Sequence, residues 1–84
     1  MSTRLHVGNI PATLIAAELE AMFSQFGSVD GVEIACDAVT GKSKGFAIVA
    51  MNRSADALAA IGRLNFTQLA GRTIAVSMSR ASTS

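Results

Sequence analysis

The sequence predicts an α+β fold, with one four-stranded antiparallel sheet and two helices on one of its faces. Three observations carry this. Four short stretches have the apolar pattern of strands, and two longer ones repeat apolar residues with the period of a helix. They follow one another as strand, helix, strand, strand, helix, strand.

Each element has its own justification. RLHVG (residues 4–8) places Leu5 and Val7 on one side and His6 on the other, as a strand does. NIPAT is a loop punctuated by Pro11. From Leu14 to Phe26 the apolar residues Ile15, Leu19, Met22, Phe23 and Phe26 share one helical stripe. Thr13 is the N-cap candidate, although Ala16 gives it no capping box, and Gly27 is placed to end the helix. VDGVEIAC (residues 29–36) is a second strand with Val32 and Ile34 inward, and the turn cluster DAVTGKSKG joins it to KGFAIVAM in a hairpin. Ser54 can cap a second helix whose stripe is Ala57, Ala60, Ile61 and Leu64. Gly62 weakens that helix by about 1 kcal/mol relative to alanine. NFTQLAGR reads as a loop, and TIAVSM (residues 73–78) as the last strand with Ile74 and Val76 inward. This βαββαβ order is the split βαβ, or ferredoxin-like, arrangement, which buries both helices on one sheet face and leaves the other open.

Composition narrows the function classes. The chain of 84 residues reads as one domain, residues 1–84, with a core at about 4–80 and a polar tail that frays over 81–84. Half of it is hydrophobic and 15% charged, which excludes a disordered tail and makes a sticky surface expected. The net charge of +1 neither demands nor excludes a nucleic-acid partner. Cys36 and His6 are the only residues of their kinds, so no disulfide framework and no cysteine- or histidine-rich metal site can form within the chain. A reducing, cytoplasmic setting fits best. Arg4 and IPATLIAA mimic a signal peptide, but Pro11, Glu18, Glu20 and the helical spacing argue against one. No stretch reaches ~18 uninterrupted apolar residues, so no membrane span is expected.

KGFAIVAM (residues 44–51) raises the functional question, because it is apolar on both faces. A soluble antiparallel sheet usually keeps one face polar. Ala47, Val49 and Met51 must pack under the helices, which leaves Phe46, Ile48 and Ala50 on the open face. The stretch resembles the octamer motif of RNA-recognition modules, K/R-G-F/Y-G/A-F-V-x-F/Y. LHVGNI (residues 5–10) resembles the hexamer motif of the same family. MFSQFGSV, DAVTGKSKGF and LAGRTIAV look like further landmarks, so the resemblance covers about residues 4–80. A chain of one bare module resembles the small bacterial members of that family.

The resemblance implies a mechanism: single-stranded bases splay over the open sheet and stack on side chains of the two central strands. The matching positions are His6, Phe46 and Ile48, where the family usually carries three aromatics. His6 can still stack, whereas Ile48 offers only apolar contact. Lys44 heads the octamer, and Arg4, Lys42 and Arg80 flank the sheet, so these cations are candidates for phosphate contacts. Each has a plainer reading. His6 can be a half-exposed strand residue, Phe46 a dimer contact, Ile48 a protein contact and Lys44 a turn lysine. Arg72 can equally be a solvated loop charge. Glu33 should share the open face and repel phosphate, while Ala35 and Ala75 stand where longer groups could read bases, so weak binding is expected.

Enzyme readings lack support. His6 has no placed acid partner for a serine triad, and Cys36 has no activating base. TGKS (residues 40–43) lacks the spaced glycine of a phosphate loop and leads into a strand. No cofactor is implied. The reading that follows is a non-enzymatic module binding single-stranded RNA, with single-stranded DNA left open. The alternative keeps the fold but uses the apolar sheet, or Leu14 and Leu58 on the helices, to form a homodimer or dock a protein.

Overall fold

The computed structural model describes residues 3–79. Strand β1 (Thr3–Gly8) is followed by helix α1 (Ala16–Ser24), the hairpin of β2 (Val29–Cys36) and β3 (Ser43–Met51), and helix α2 (Ser54–Leu64). Two very short strands, β4 (Gln68–Leu69) and β5 (Arg72–Thr73), precede β6 (Ala75–Met78). The main sheet runs β2–β3–β1–β6 and is antiparallel at every joint, so β1 and β3 are its central strands.

The period of two along the strands decides what is buried. Leu5 and Val7 of β1, Ala47, Val49 and Met51 of β3, and Val76 of β6 all lose their solvent contact. They meet Leu19 and Phe23 of α1 and Ala57 and Ala60 of α2, with Ile10 and Ile74 closing the ends of the cluster. Val32 and Ile34 pack against it from β2, as do Met22, Phe26, Ile61 and Leu64 from the helical side. The expected four-stranded sandwich is therefore present, and its strands turn the expected residues inward.

The helix ends differ from expectation. Helix α1 begins at Ala16 with Ile15 at the capping position, two residues later than a Thr13 cap would place it. The Glu18 carboxylate accepts the Ile15 N–H at 3.1 Å, half of a capping box that Thr13 does not share. Ile15 consequently stands outside the stripe, 57% exposed, while Leu14 packs against the core and is no outer docking residue. The helix closes at Ser24, before Gly27, whose place is set instead by crowding: a Cβ there would collide with the Asp56 carboxylate. Ser54 is the first helical residue of α2 and Arg53 holds the cap position, so Ser54 is not the cap.

The stretch NFTQLAGR is not a plain loop. Gln68 pairs with Thr73 and Leu69 with Arg72 around Ala70 and Gly71, whose φ values are 48° and 82°. Positive φ at both central residues is the hairpin turn that matches strand twist. The turn chemistry went unread because alanine, unlike asparagine or glycine, does not advertise a left-handed position.

Candidate nucleic-acid interface

The strand register sorts the outer face into rows. Ile48 pairs with Glu33 on one side and His6 on the other, and His6 pairs with Ser77. One step along β3, Phe46 pairs with Gly8, which pairs with Ala75. In the opposite direction Ala50 pairs with Gly31 and with Arg4. Neighbouring residues within a row lie ~4.8 Å apart, and rows on one face are ~6.6 Å apart. The outer face thus carries an aromatic end around Phe46 and a small-residue end around Ala50.

At the aromatic end, the His6 and Phe46 rings stack with centroids 5.2 Å apart and planes 21° from parallel. They are diagonal neighbours across β1 and β3, and the imidazole leans over Gly8. A Cβ at Gly8 would come within 3.3 Å of the imidazole Cε1, so the glycine leaves the ring its space. Three contacts hold this end in place. The Ile10 N–H donates to the Gly45 carbonyl at 3.0 Å. The Asn9 amide donates to the Thr73 carbonyl at 2.8 Å, and its oxygen accepts from the Arg72 guanidinium at 3.0 Å. Asn9 does this from a left-handed backbone, φ 59°, that asparagine tolerates better than most residues. Arg72 is therefore engaged and is not a free loop charge.

The candidate cations divide between the two ends. Lys44 lies on β3 two residues before Phe46, and Lys42 in the preceding turn; both are exposed. Arg4 is exposed at the small-residue end. Arg80 lies outside the described residues. The Lys42 turn is built by Asp37, whose carboxylate accepts the N–H of Val39 at 2.8 Å and of Thr40 at 3.0 Å. These bonds, Thr40 first, hold the Asp37 carboxyl below the ordinary aspartate range. Glu33 is exposed on the outer face beside Ile48, and Ala75 is exposed beside Gly8, as the sequence implied.

Sequence reasoning passed over two features here. One is the Asn9 clamp, whose signal is the asparagine of the hexamer LHVGNI. The other is a depression of about 440 Å³ at the small-residue end, lined by Arg4, Gly31, Glu33, Ile48, Ala50 and Ser79 among others. Its signal was glycine and alanine at outward positions of adjacent strands.

The open face of the βαββαβ sheet thus carries an aromatic pair on its central strands, with one glycine beneath it. The profile described as RNA recognition motif matches residues 5–75. The chain belongs to the RNA recognition motif family. It is 41% identical over 73 residues to RNA-binding protein CP33, chloroplastic, of Arabidopsis thaliana, covering 87% of this chain and 22% of that protein. The chain spans about a fifth of the length of the first curated relatives that it matches. The crystal structure of RNA Binding Protein PG1 superposes with a TM-score of 0.91 at 30% identity, covering 94% of this chain and 95% of that one. A Sex-lethal protein–RNA complex superposes at 0.89 with 31% identity, covering 95% of this chain and 48% of that one. RNA-binding protein CP33 and the 33 kDa ribonucleoprotein of Nicotiana sylvestris are plant proteins; the likeness to small bacterial members rests on the sequence reading alone.

Among the described residues no cluster of side chains could hold a metal ion, and no helix is long and apolar enough to cross a membrane.

Proposed function

We propose that this chain binds single-stranded RNA across its open sheet face, without catalysing a reaction. The observation that carries the reading is the stacked His6–Phe46 pair on the two central strands, solvent-accessible and matched to both family motifs. Stacked bases gain ~1–3 kcal/mol each on such platforms whatever their sequence. Ile48, beside His6, offers apolar contact to a base or ribose. Lys42, Lys44 and Arg80 supply phosphate contacts, with Arg4 a fourth cation on the ligand path. Support comes from the family match and from relatives whose names describe RNA binding and ribonucleoproteins. The whole chain acts as one module in this reading. Its setting is cytoplasmic and reducing, which suits the exposed free thiol of Cys36, although several relatives are named chloroplastic.

A titration with random short single-stranded RNA, followed by amide shifts, tests this. Shifts should cluster on residues 5–8 and 44–50, and three or four phosphate contacts imply a log–log salt slope of about −2 to −3. Shifts confined to the helices, or a slope near zero, would reject it. The second reading, a protein-docking module, draws on Leu58, Ile15 and Phe66, which are 59%, 57% and 75% exposed. Concentration-dependent sedimentation without RNA would favour a homodimer. The same RNA titration with a DNA oligonucleotide tells whether the ribose 2′-hydroxyl matters.

A further inference from the structure

The depression at the small-residue end is not explained by stacking, because it contains no aromatic ring. Its floor is Ala50 with Gly31 beside it, and Ile48 forms the wall toward the aromatic end. The β2–β3 register shifts between Val29 and Gly31, so that two steps on β2 oppose one on β3. That bulge and the missing side chain at Gly31 open the space. Glu33 and Arg4 stand on its opposite sides, two strands and one row apart, with Cα atoms separated by roughly 12 Å. Both side chains are exposed, and neither has a hydrogen-bond or ion-pair partner among the described residues. A volume of about 440 Å³ falls in the range of small-ligand sites.

Resting on the RNA-binding reading, we propose that this depression is a base-reading subsite for guanine, with Glu33 and Arg4 as its specificity-determining residues. A carboxylate has acceptors only. The Watson–Crick edge of an unpaired guanine offers it two adjacent donors, N1–H and the N2 amino group. Uracil offers one donor between two carbonyls, which face the carboxylate with like polarity. Adenine and cytosine each offer one amino group beside a ring-nitrogen lone pair. On the adjoining Hoogsteen edge guanine presents O6 and N7, the pair that an arginine fork recognises. One purine can therefore meet both side chains that line the depression, the Glu33 carboxylate on N1–H and N2–H and the Arg4 guanidinium on O6 and N7, with hydrogen bonds of ~2.9 Å. A site built to satisfy such donors rejects a base that leaves the carboxylate unpaired. This also accounts for an acid on a face otherwise suited to phosphate: Glu33 opposes the backbone and is compensated only when guanine is present.

The test is fluorescence anisotropy with labelled hexamers of uridine, either unmodified or carrying one internal guanosine, inosine, adenosine or cytidine. The guanosine hexamer should bind about tenfold tighter than the all-uridine one. Inosine, which lacks the N2 amino group, should fall between them. Glu33→Gln should reduce the guanosine preference below about threefold, while tightening the all-uridine hexamer at low salt as the repulsion is lifted. Arg4→Ala should weaken the guanosine hexamer more than the all-uridine one. Equal binding of all hexamers by a parent that loses them together on Phe46→Ala sinks the subsite and leaves the sheet-face reading standing. A preference for another base, or a guanosine preference that survives Glu33→Gln, likewise overturns the assignment. A parent that binds no hexamer, or binds them equally well with Phe46→Ala, overturns the sheet-face reading and the subsite with it.

Discussion

The two ends of the open face do different physical work with the same sheet. At the aromatic end two rings stack 5.2 Å apart above Gly8, and the Asn9 and Ile10 hydrogen bonds tie the adjoining turns to them. At the other end Gly31 and Ala50 remove bulk, a bulge opens the strands, and the Glu33 and Arg4 side chains have no hydrogen-bond or ion-pair partner among the described residues. The first end holds its two rings stacked, and stacking on such rings tolerates any base. The second is hollow and directional, so it can discriminate but contributes little surface. On the proposed reading, a module with a single true aromatic on its face gains affinity at one end and selectivity at the other.

Breaking the aromatic end should have the larger consequence. Phe46→Ala removes a half-buried ring from the outer face and leaves the core intact, since Ala47 and Val49 carry the inward side. The thermal midpoint should stay near that of the parent. RNA affinity should fall by ~1–3 kcal/mol for every sequence tested, because stacking is sequence-tolerant. A selective loss for guanosine-containing RNA alone would mean that the two ends are not separable as described.

Ile48 lies on the border, paired with both Glu33 and His6 and forming one wall of the depression. Ile48→Phe extends the aromatic end by one ring. Binding of an all-pyrimidine RNA should strengthen by ~1 kcal/mol, read by anisotropy with the fold checked by circular dichroism. Unchanged or weaker binding by a folded variant would assign Ile48 to a protein-facing role and move the border toward Phe46.

The same contrast explains what could be read from the sequence. The strands and inward residues were legible because burial on one face imposes a period of two, and a one-residue slip would expose Leu5, Val7, Val49 and Val76 together. The octamer and hexamer placed His6, Phe46 and Ile48 on adjacent strands, and the register brings them together as expected. Helix α1 was misplaced at its start because Glu18 caps from within the helix, a reach of side chain to backbone that a search for serine or threonine overlooks. The depression escaped notice because it is made of missing side chains. Gly31 and Ala50 lie 19 positions apart in sequence, and only the β2–β3 register makes them neighbours.

The smallest effect concerns the turn that feeds the aromatic end. The Asp37 carboxylate accepts the Thr40 and Val39 N–H groups, and the turn is closed by the Asp37 N–H to the Lys42 carbonyl at 2.7 Å and the Gly41 N–H to the Asp37 carbonyl at 2.8 Å. Those amide donors favour the charged carboxylate, so its pKa lies below the ordinary aspartate value. The sign follows. A carboxyl whose folded pKa is depressed contributes order above its unfolded pKa of ~3.9 and loses it as pH falls through the lower folded value. The group is fully exposed, so the effect is local and global stability near neutral pH should be indifferent to it. On acid titration followed by amide shifts, Val39 and Thr40 should move together with a midpoint below that of an unstructured aspartate, and Gly31 at the opposite end of the face should not follow. Asp37→Ala should abolish that step and speed hydrogen exchange at both amides, and RNA affinity at neutral pH should weaken less than about twofold, because the turn restrains the Lys42 backbone while leaving its exposed side chain free to reach a phosphate. A midpoint at or above the ordinary aspartate value would show that the two bonds do not hold in solution, and the aromatic end would then be less rigidly framed than its hydrogen bonds describe.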